Sequence, residues 1–438
     1  MMSRKTQSVN QSDSLRLVAL LDGREAGRVY QAATGRLRFS YDDRWRADPD
    51  AYPLSLAMPL AAEDHRHEAI SAFLWGLLPD NGRTLDQYAR LFGVSAGNPV
   101  ALLSHIGADC PGAVQLAAPD RIDALIATAP KAPTDWLTER DVADELRTVL
   151  EQGIPGTTRR TVGQFSLAGA QPKIALLEEA GRWGRPSGRT PTNRILKPPS
   201  GDFPGFAENE HFCLAVLEEL GLGAVRSRVL RFADEVAIVV DRFDRLKRNR
   251  SYIRIHQEDA CQALAVMPNG KYENEGGPGI AAIVALLREN SRNPGEDIAR
   301  FVGATVVNWL LAATDAHAKN YALLHGPGGG VRLAPFYDVA SYLPYAEPTL
   351  HRAKLAMKIG REYLVRRIVR ADWNALAKAA ELPAAEVNAI VDDVVSRMAG
   401  VLDVVRTSAV AEGLEESVIT KLANRITAHV KLCRRAIN

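Results

Sequence analysis

The stretch from Ala304 to Asp338 constrains the fold of this chain more than any other. It begins with an almost wholly apolar run, Ala304 to Thr314 (ATVVNWLLAAT), which predicts a buried helix ending at the acidic loop Asp315-Ala-His-Ala-Lys-Asn320. Tyr321 to His325 and Val331 to Pro335 flank Gly326-Pro-Gly-Gly-Gly330, a turn that takes positive φ at little cost, so the stretch reads as a hairpin. The hairpin returns the chain to its start and sets Asp338 beside Asn320.

An acid, an amide and a second acid so arranged are what phosphoryl transfer from a metal nucleotide needs. In kinase loops of the pattern D-x-x-x-x-N, the Asp accepts the substrate hydroxyl's proton and the Asn holds one metal ion; a later Asp holds the metal that bridges the phosphates. Asp315 and Asn320 reproduce that spacing. Taken singly, the loop could be a helix cap and Asp338 a turn residue; the combination favours the catalytic reading.

The rest of the chain supplies a matching order of elements. Leu15 to Leu21 reads as a strand, the chain turns helical around Ala72 to Leu78, and residues 15 to about 117 form a mixed α/β unit without any of the proposed phosphoryl-transfer residues. Ala118 to about Thr134, rich in Ala and Pro, reads as a linker, followed by a charged helix near Asp141 to Glu151. Short strands follow at Lys173 to Leu177 and Arg194 to Lys197, the latter stopped by Pro198-Pro199, with a flexible segment from Pro198 to Phe206. Phe212, Val216 and Leu220 recur at helical spacing before Gly221, and strands at Arg228 to Phe232 and Val236 to Val240 lead to a mostly helical remainder. Lys197 thus ends a strand and precedes a helix whose first turn holds Glu208 and Glu210. An ion pair, with Glu210 favoured, would put the ammonium on the α- and β-phosphates; the alternative is a strand-end lysine reaching solvent. Gln164 to Lys173 (QFSLAGAQPK) is a small-residue loop whose backbone N–H groups can approach phosphate, though as an isolated pattern it is also a plain turn.

Composition bounds the remaining classes. The chain has 438 residues with 54 Lys and Arg against 52 Asp and Glu, a net charge of +2 that is too balanced to hold nucleic acid by electrostatics alone. Met1 to Ser14 is polar with no apolar stretch behind it, and no run approaches membrane-spanning length, so a soluble cytoplasmic protein is expected. Cys110, Cys213, Cys261 and Cys433 lie far apart in apolar or helical contexts and are expected to be reduced and buried. Glu63-Asp-His-Arg-His-Glu68 reads as a solvated helix start, and the C-terminal Lys421, Arg425, Lys431, Arg434 and Arg435 as a solvated helix face.

With these motifs in place, the sequence resembles the HipA family of bacterial toxin serine/threonine kinases over nearly its whole length. Supporting segments include Tyr52-Pro-Leu-Ser-Leu-Ala-Met-Pro59, Leu77-Leu-Pro-Asp-Asn-Gly-Arg83, Gly107-Ala-Asp-Cys-Pro-Gly-Ala113, Ser166 to Lys173, Asp241-Arg-Phe-Asp-Arg245, Asn308-Trp-Leu310 and Tyr337-Asp338. The resemblance implies an α+β, bilobal protein-kinase-like fold. An N-terminal subdomain (15–117) would dock a HipB-like helix-turn-helix antitoxin, followed by an N-lobe (118–245) and a helical C-lobe (246–438). It implies ATP and Mg²⁺ as cofactors, Asp315 as catalytic base, and Asn320 and Asp338 as magnesium ligands. Lys197 would hold phosphate, and Leu167, Ala168, Gly169, Ala170, Gln171 and Lys173 would form the nucleotide loop. Asp241, Arg242 and Phe243 would meet adenine, while His317, Ala318, Lys319, Asn320 and Tyr337 would line the nucleotide. Ser166 corresponds to an autophosphorylated serine. The implied protein substrate is an aminoacyl-tRNA synthetase, glutamyl in the best-known members, whose phosphorylation arrests growth and gives persistence. Operator DNA would be reached mainly through the antitoxin. A catalytically weak corepressor and a small-molecule kinase remain as alternatives on residues alone.

Overall fold

Pro294 opens the helix that carries the apolar run, and the helix extends to Leu311. Ala312 then adopts a left-handed conformation, φ 49°, which stops the helix and throws the chain into the Asp315 loop. The C-terminal half is built round this helix. Phe301 and Trp309 are fully buried, the Trp309 ring meets Trp373 edge-on at 5.6 Å, and helices Ala384–Ala411 and Glu416–Ile437 complete the core. The computed structural model describes residues 14–127, 133–155, 165–199, 204–249, 251–346 and 350–438. The polar tail before Ser14, the end of the expected linker at 128–132, Gln164 and most of the segment expected to be flexible after Pro199 lie outside the described residues.

The expected hairpin forms: Ala322–Gly326 pairs antiparallel with Gly330–Leu333, and a third strand, His256–Asp259, joins its outer edge. This half is less uniformly helical than its sequence suggests. Arg245–Arg248 pairs with Ser251–Arg254, and Lys354–Ile359 with Glu362–Leu364. These strands are six residues or shorter, too brief for an alternating pattern to stand out.

The preceding lobe is a six-stranded sheet in which Arg194–Lys197 lies between Ile174–Glu179 and Glu235–Asp241. Alternation along the last of these sorts its side chains. Ala237 and Val239 pack with Val142 and Leu146 of the helix Glu139–Gln152, while Ile238 and Val240 face Phe212 and Leu217 of the helix Phe206–Glu219. The charged helix expected near Asp141 therefore buries one apolar stripe against the sheet, begun by a Thr138–Asp141 capping box.

The N-terminal unit is an antiparallel five-stranded sheet, with Ser14–Leu21 between Arg24–Gln31 and Gln115–Ala117. Helices His67–Gly76 and Pro99–Ile106 cover it, and Leu125 of the short helix Ile122–Ala127 packs on Val18 and Leu20. Buried polar contacts join this unit to both other parts. Ser55 Oγ donates to Glu258 (2.5 Å), which His325 Nε2 also meets at 2.9 Å. Asp109 accepts from Arg245 (2.7 Å), Arg254 (3.0 Å) and the Thr192 hydroxyl (2.7 Å), all in the lobe connection. Charged groups this buried persist only when paired with opposite charge, so the contacts favour one arrangement of the units. The four cysteines are free and buried, and among the described residues no helix is long and apolar enough to cross a membrane.

Candidate active site

A cavity of about 720 Å³ opens where the three units meet. Its centre is an ion cluster. Lys197 sits in the sheet, 7% exposed, and its Nζ donates to Glu210 Oε1 (2.7 Å) and Asp338 Oδ1 (2.8 Å). Between the two acids the sequence left open, the geometry selects Glu210. This residue faces inward with Cys213, Leu214 and Leu217, one and two turns on, whereas Glu208 is not among the buried residues. Burial raises the Glu210 carboxyl and the ammonium of Lys197 opposes it. Burial likewise pushes the Asp338 carboxyl up, but Lys197 and Lys173 outweigh this and hold it well below the usual range. Burial would lower Lys197; Asp338 and Glu210 overcome that and raise it.

Asp338 takes φ 59°, a left-handed conformation that L side chains seldom adopt, held here by the Asn320 amide. Asn320 Nδ2 donates to the backbone carbonyls of Asp315 (2.9 Å) and Asp338 (3.5 Å), leaving the amide oxygen for a ligand. Asp315 is exposed at the cavity mouth. An acid able to accept a proton, an amide oxygen and a carboxylate thus share one wall. Among the described residues no three carboxylate, imidazole or thiol groups gather to cage a metal. One carboxylate and one amide suit Mg²⁺, which keeps waters and shares its coordination with substrate phosphates.

The roof is the loop from Leu167 to Lys173, all of which lines the cavity. Gly169 has φ +98°, and a Cβ there would lie 2.6 Å from Lys173 Nζ, so the loop needs glycine at this point. Lys173 Nζ donates to Ala168 O (2.7 Å), and Gln171 Nε2 to Pro198 O (3.5 Å). Burial and the neighbouring Lys197 ammonium push Lys173 down to about 8. Ser166 is wholly buried, its hydroxyl donating to Leu77 O (2.7 Å). At the far end the Phe243 and Tyr337 rings stack at 5.5 Å, a flat apolar slot beside Asp241, whose carboxylate meets Arg194 at 3.1 Å. His317 and Asn320 face the cavity, and Tyr337 Oη donates to Lys319 O (2.8 Å).

Arg242 lines the cavity beside Asp241 and Phe243, and its guanidinium is anchored in the lobe connection, donating to Asp244 (2.8 Å), Thr192 (2.9 Å) and Cys110 O (2.9 Å). Two sequence expectations need correction. Ala318 is fully buried and absent from the lining, behind a short 3₁₀ turn, Ala318–Asn320. The N-terminal unit does enter the site. Asp80 and Asn81 line the cavity, and Asp80 accepts from Lys319 and from Lys271 (2.9 Å), while its N–H donates to Gly169 O (3.2 Å). Burial would raise Asp80; the two lysines outweigh it and hold it low. Tyr272, which donates to Asp315 Oδ1 (2.7 Å), was also missed. The acid inside the otherwise apolar Leu77-Leu-Pro-Asp80 was the available signal for Asp80; Tyr272 had none, because its partner lies in a different segment.

Comparison with known proteins agrees with this architecture. Residues 17–117 match the model of the HipA N-terminal domain and residues 165–402 that of the HipA-like C-terminal domain. Y4mE of Sinorhizobium fredii, by its name a kinase, is 33% identical over 425 residues, covering 95% of this chain and 98% of that protein. The serine/threonine-protein kinase toxin HipA of Shewanella oneidensis is 27% identical over 347 residues, 76% of each chain. In fold, the chain is similar to Shewanella oneidensis HipA solved with HipB and operator DNA: TM-score 0.81, 24% identity, 96% of this chain and 97% of that one. The chain therefore belongs to the HipA family of serine/threonine-protein kinases.

Proposed function

We propose that this chain is the toxin of a toxin–antitoxin pair, a kinase that moves the γ-phosphoryl group of Mg-ATP to a serine or threonine hydroxyl. The observation that carries the reading is the Lys197 ammonium bridging Glu210 and Asp338 in the same cavity whose mouth holds Asp315.

Glu210 aims Lys197 at the α- and β-phosphates, and the backbone of Leu167 to Ala170 with Lys173 closes over the phosphate chain. Phe243 and Tyr337 stack with the base beside Asp241. Asp315 accepts the proton of the attacking hydroxyl as its oxygen bonds to phosphorus and ADP departs. Asp338 and the Asn320 amide oxygen would hold magnesium, which when bound would offset the charge on the phosphates. Lys319 lines the cavity and is held there by its bond to Asp80 and by the Tyr337 hydroxyl on its carbonyl.

The structural relative solved with HipB and operator DNA supports a HipB-like partner and an assembly on DNA; docking chiefly through residues 15–117, DNA contact mainly through the partner and an aminoacyl-tRNA synthetase as the arresting target complete the proposal. Ser166 is the self-phosphorylation site. Its burial against Leu77 means that the loop must leave before the hydroxyl can react, and because a residue beside the bound nucleotide does not also reach the Asp315 of its own chain, the proposed transfer is intermolecular. Phosphoproteomics of cells expressing the chain, against cells expressing an Asp315→Asn form, tests the reading. A synthetase phosphorylated only by the parent supports it, and identical phosphoproteomes with equal growth arrest overturn it.

A further inference from the structure

Asp315 is exposed, and among the described residues the Tyr272 hydroxyl is the one group that donates to its carboxylate. A carboxylate in water samples several rotamers, so a base that must meet a hydroxyl in one geometry gains from a fixed partner. We propose that Tyr272 is a positioning residue for Asp315, and that Lys271 and Asp80 make its placement depend on the N-terminal unit. This rests on Asp315 being the base, as proposed above.

Tyr272 is firmly seated. Its ring packs edge-on against His317 (5.1 Å), and Lys271 O accepts from Ala318 N (3.4 Å) in the same loop as the base. The preceding side chain, Lys271, reaches Asp80 at 2.9 Å, and the following one, Glu273, accepts from Lys358 N at 2.7 Å. Behind it the segment folds on itself so tightly that a Cβ on Gly277 would lie 2.1 Å from Gly270 O, and one on Gly279 2.2 Å from Glu273 Oε1. A hydroxyl that merely occupied the substrate's place and swung away would sit on a loose segment. This one is tied to the N-terminal unit, the Asp315 loop and the strand Lys354–Ile359, which is the arrangement of a brace. The Asp80 carboxylate also accepts from Lys319, and the backbone N–H of the same residue donates to Gly169 O, so Asp80 joins the brace to the Asp315 loop through its side chain and to the nucleotide loop through its backbone.

The test is steady-state ADP formation from Mg-ATP by the full chain. Tyr272→Phe removes one hydroxyl and keeps the ring. The expected result is a kcat about 10- to 100-fold lower, the loss of one hydrogen bond to a charged group, with KM for ATP and the melting temperature essentially unchanged. Asp80→Asn should also lower kcat, and the double variant should be no worse than about the poorer single one, because both act through one brace. An unchanged or raised kcat in Tyr272→Phe overturns the positioning role, the raised value marking a displaceable plug. Additive losses overturn the coupling to Asp80. A parent that forms no ADP fails the function proposed above and takes this inference with it; an active parent with an indifferent Tyr272→Phe variant fails the inference alone.

Discussion

Replacing Lys197 by Met tests the ion cluster through both stability and rate. The substitution strips the ammonium from Glu210, which is 1% exposed, and from Asp338, whose side chain is 38% exposed and keeps much of its hydration. Glu210 then has no cation at 2.7 Å, and burial already raises its carboxyl. Rather than remain a buried anion, it takes up a proton. That uptake costs more the further the pH lies above the unfolded carboxylate range, by at most about 1.4 kcal/mol per pH unit. The folded variant binds this proton more tightly than its unfolded chain does. Its deficit is therefore small near the unfolded value and grows as pH rises toward the elevated folded one. Urea denaturation of parent and Lys197→Met between pH 5.5 and 7.5 should show a gap that widens as pH rises, by up to about 1.4 kcal/mol per pH unit. Lys197→Met with Glu210→Gln should flatten that slope, yet phosphoryl transfer should stay down by about 10²–10³, since the phosphate ligand is still missing. A gap that does not change with pH would refute the reasoning.

Asp338→Ala removes the carboxylate assigned to magnesium, so the magnesium-dependent rise in melting temperature on adding ATP should shrink sharply; an unchanged rise rules out the role. Ser166→Glu places a charge where the hydroxyl is wholly buried against Leu77 O, so the nucleotide loop should open and ATP affinity, measured by calorimetry, should fall at least about tenfold. Equal affinity would leave Ser166 an ordinary turn serine.

What was legible in the sequence was local. The Asp315-to-Asn320 loop, its hairpin and Asp338 follow from one apolar run and one glycine turn, and Lys197 from a strand stopped by two prolines. Choosing Glu210 over Glu208 needed the helix's rotational setting, fixed by Cys213, Leu214 and Leu217 meeting the core. The partners of Asp80, the role of Tyr272 and the Asp109 network were illegible for another reason. Each joins segments far apart in the chain, Asp80 to Lys319, Asp109 to Arg245, and no periodicity records which distant guanidinium or ammonium a carboxylate meets. The anchoring of the Arg242 guanidinium was illegible in the same way: Arg242 lines the cleft with its sequence neighbours, but two of the groups that hold its charge, Thr192 and Cys110, lie well outside the motif.

The central claim is that this cleft transfers phosphate with Asp315 as base. Purified chain incubated with Mg-ATP and followed by intact-mass spectrometry, beside Asp315→Asn at equal concentration, tests it most directly. The account predicts a mass gain of phosphate in the parent, a rate about 10²–10⁴ lower in Asp315→Asn, and ATP binding retained in both. Transfer by Asp315→Asn at the parent's rate, or a parent that binds Mg-ATP and phosphorylates nothing, would contradict it.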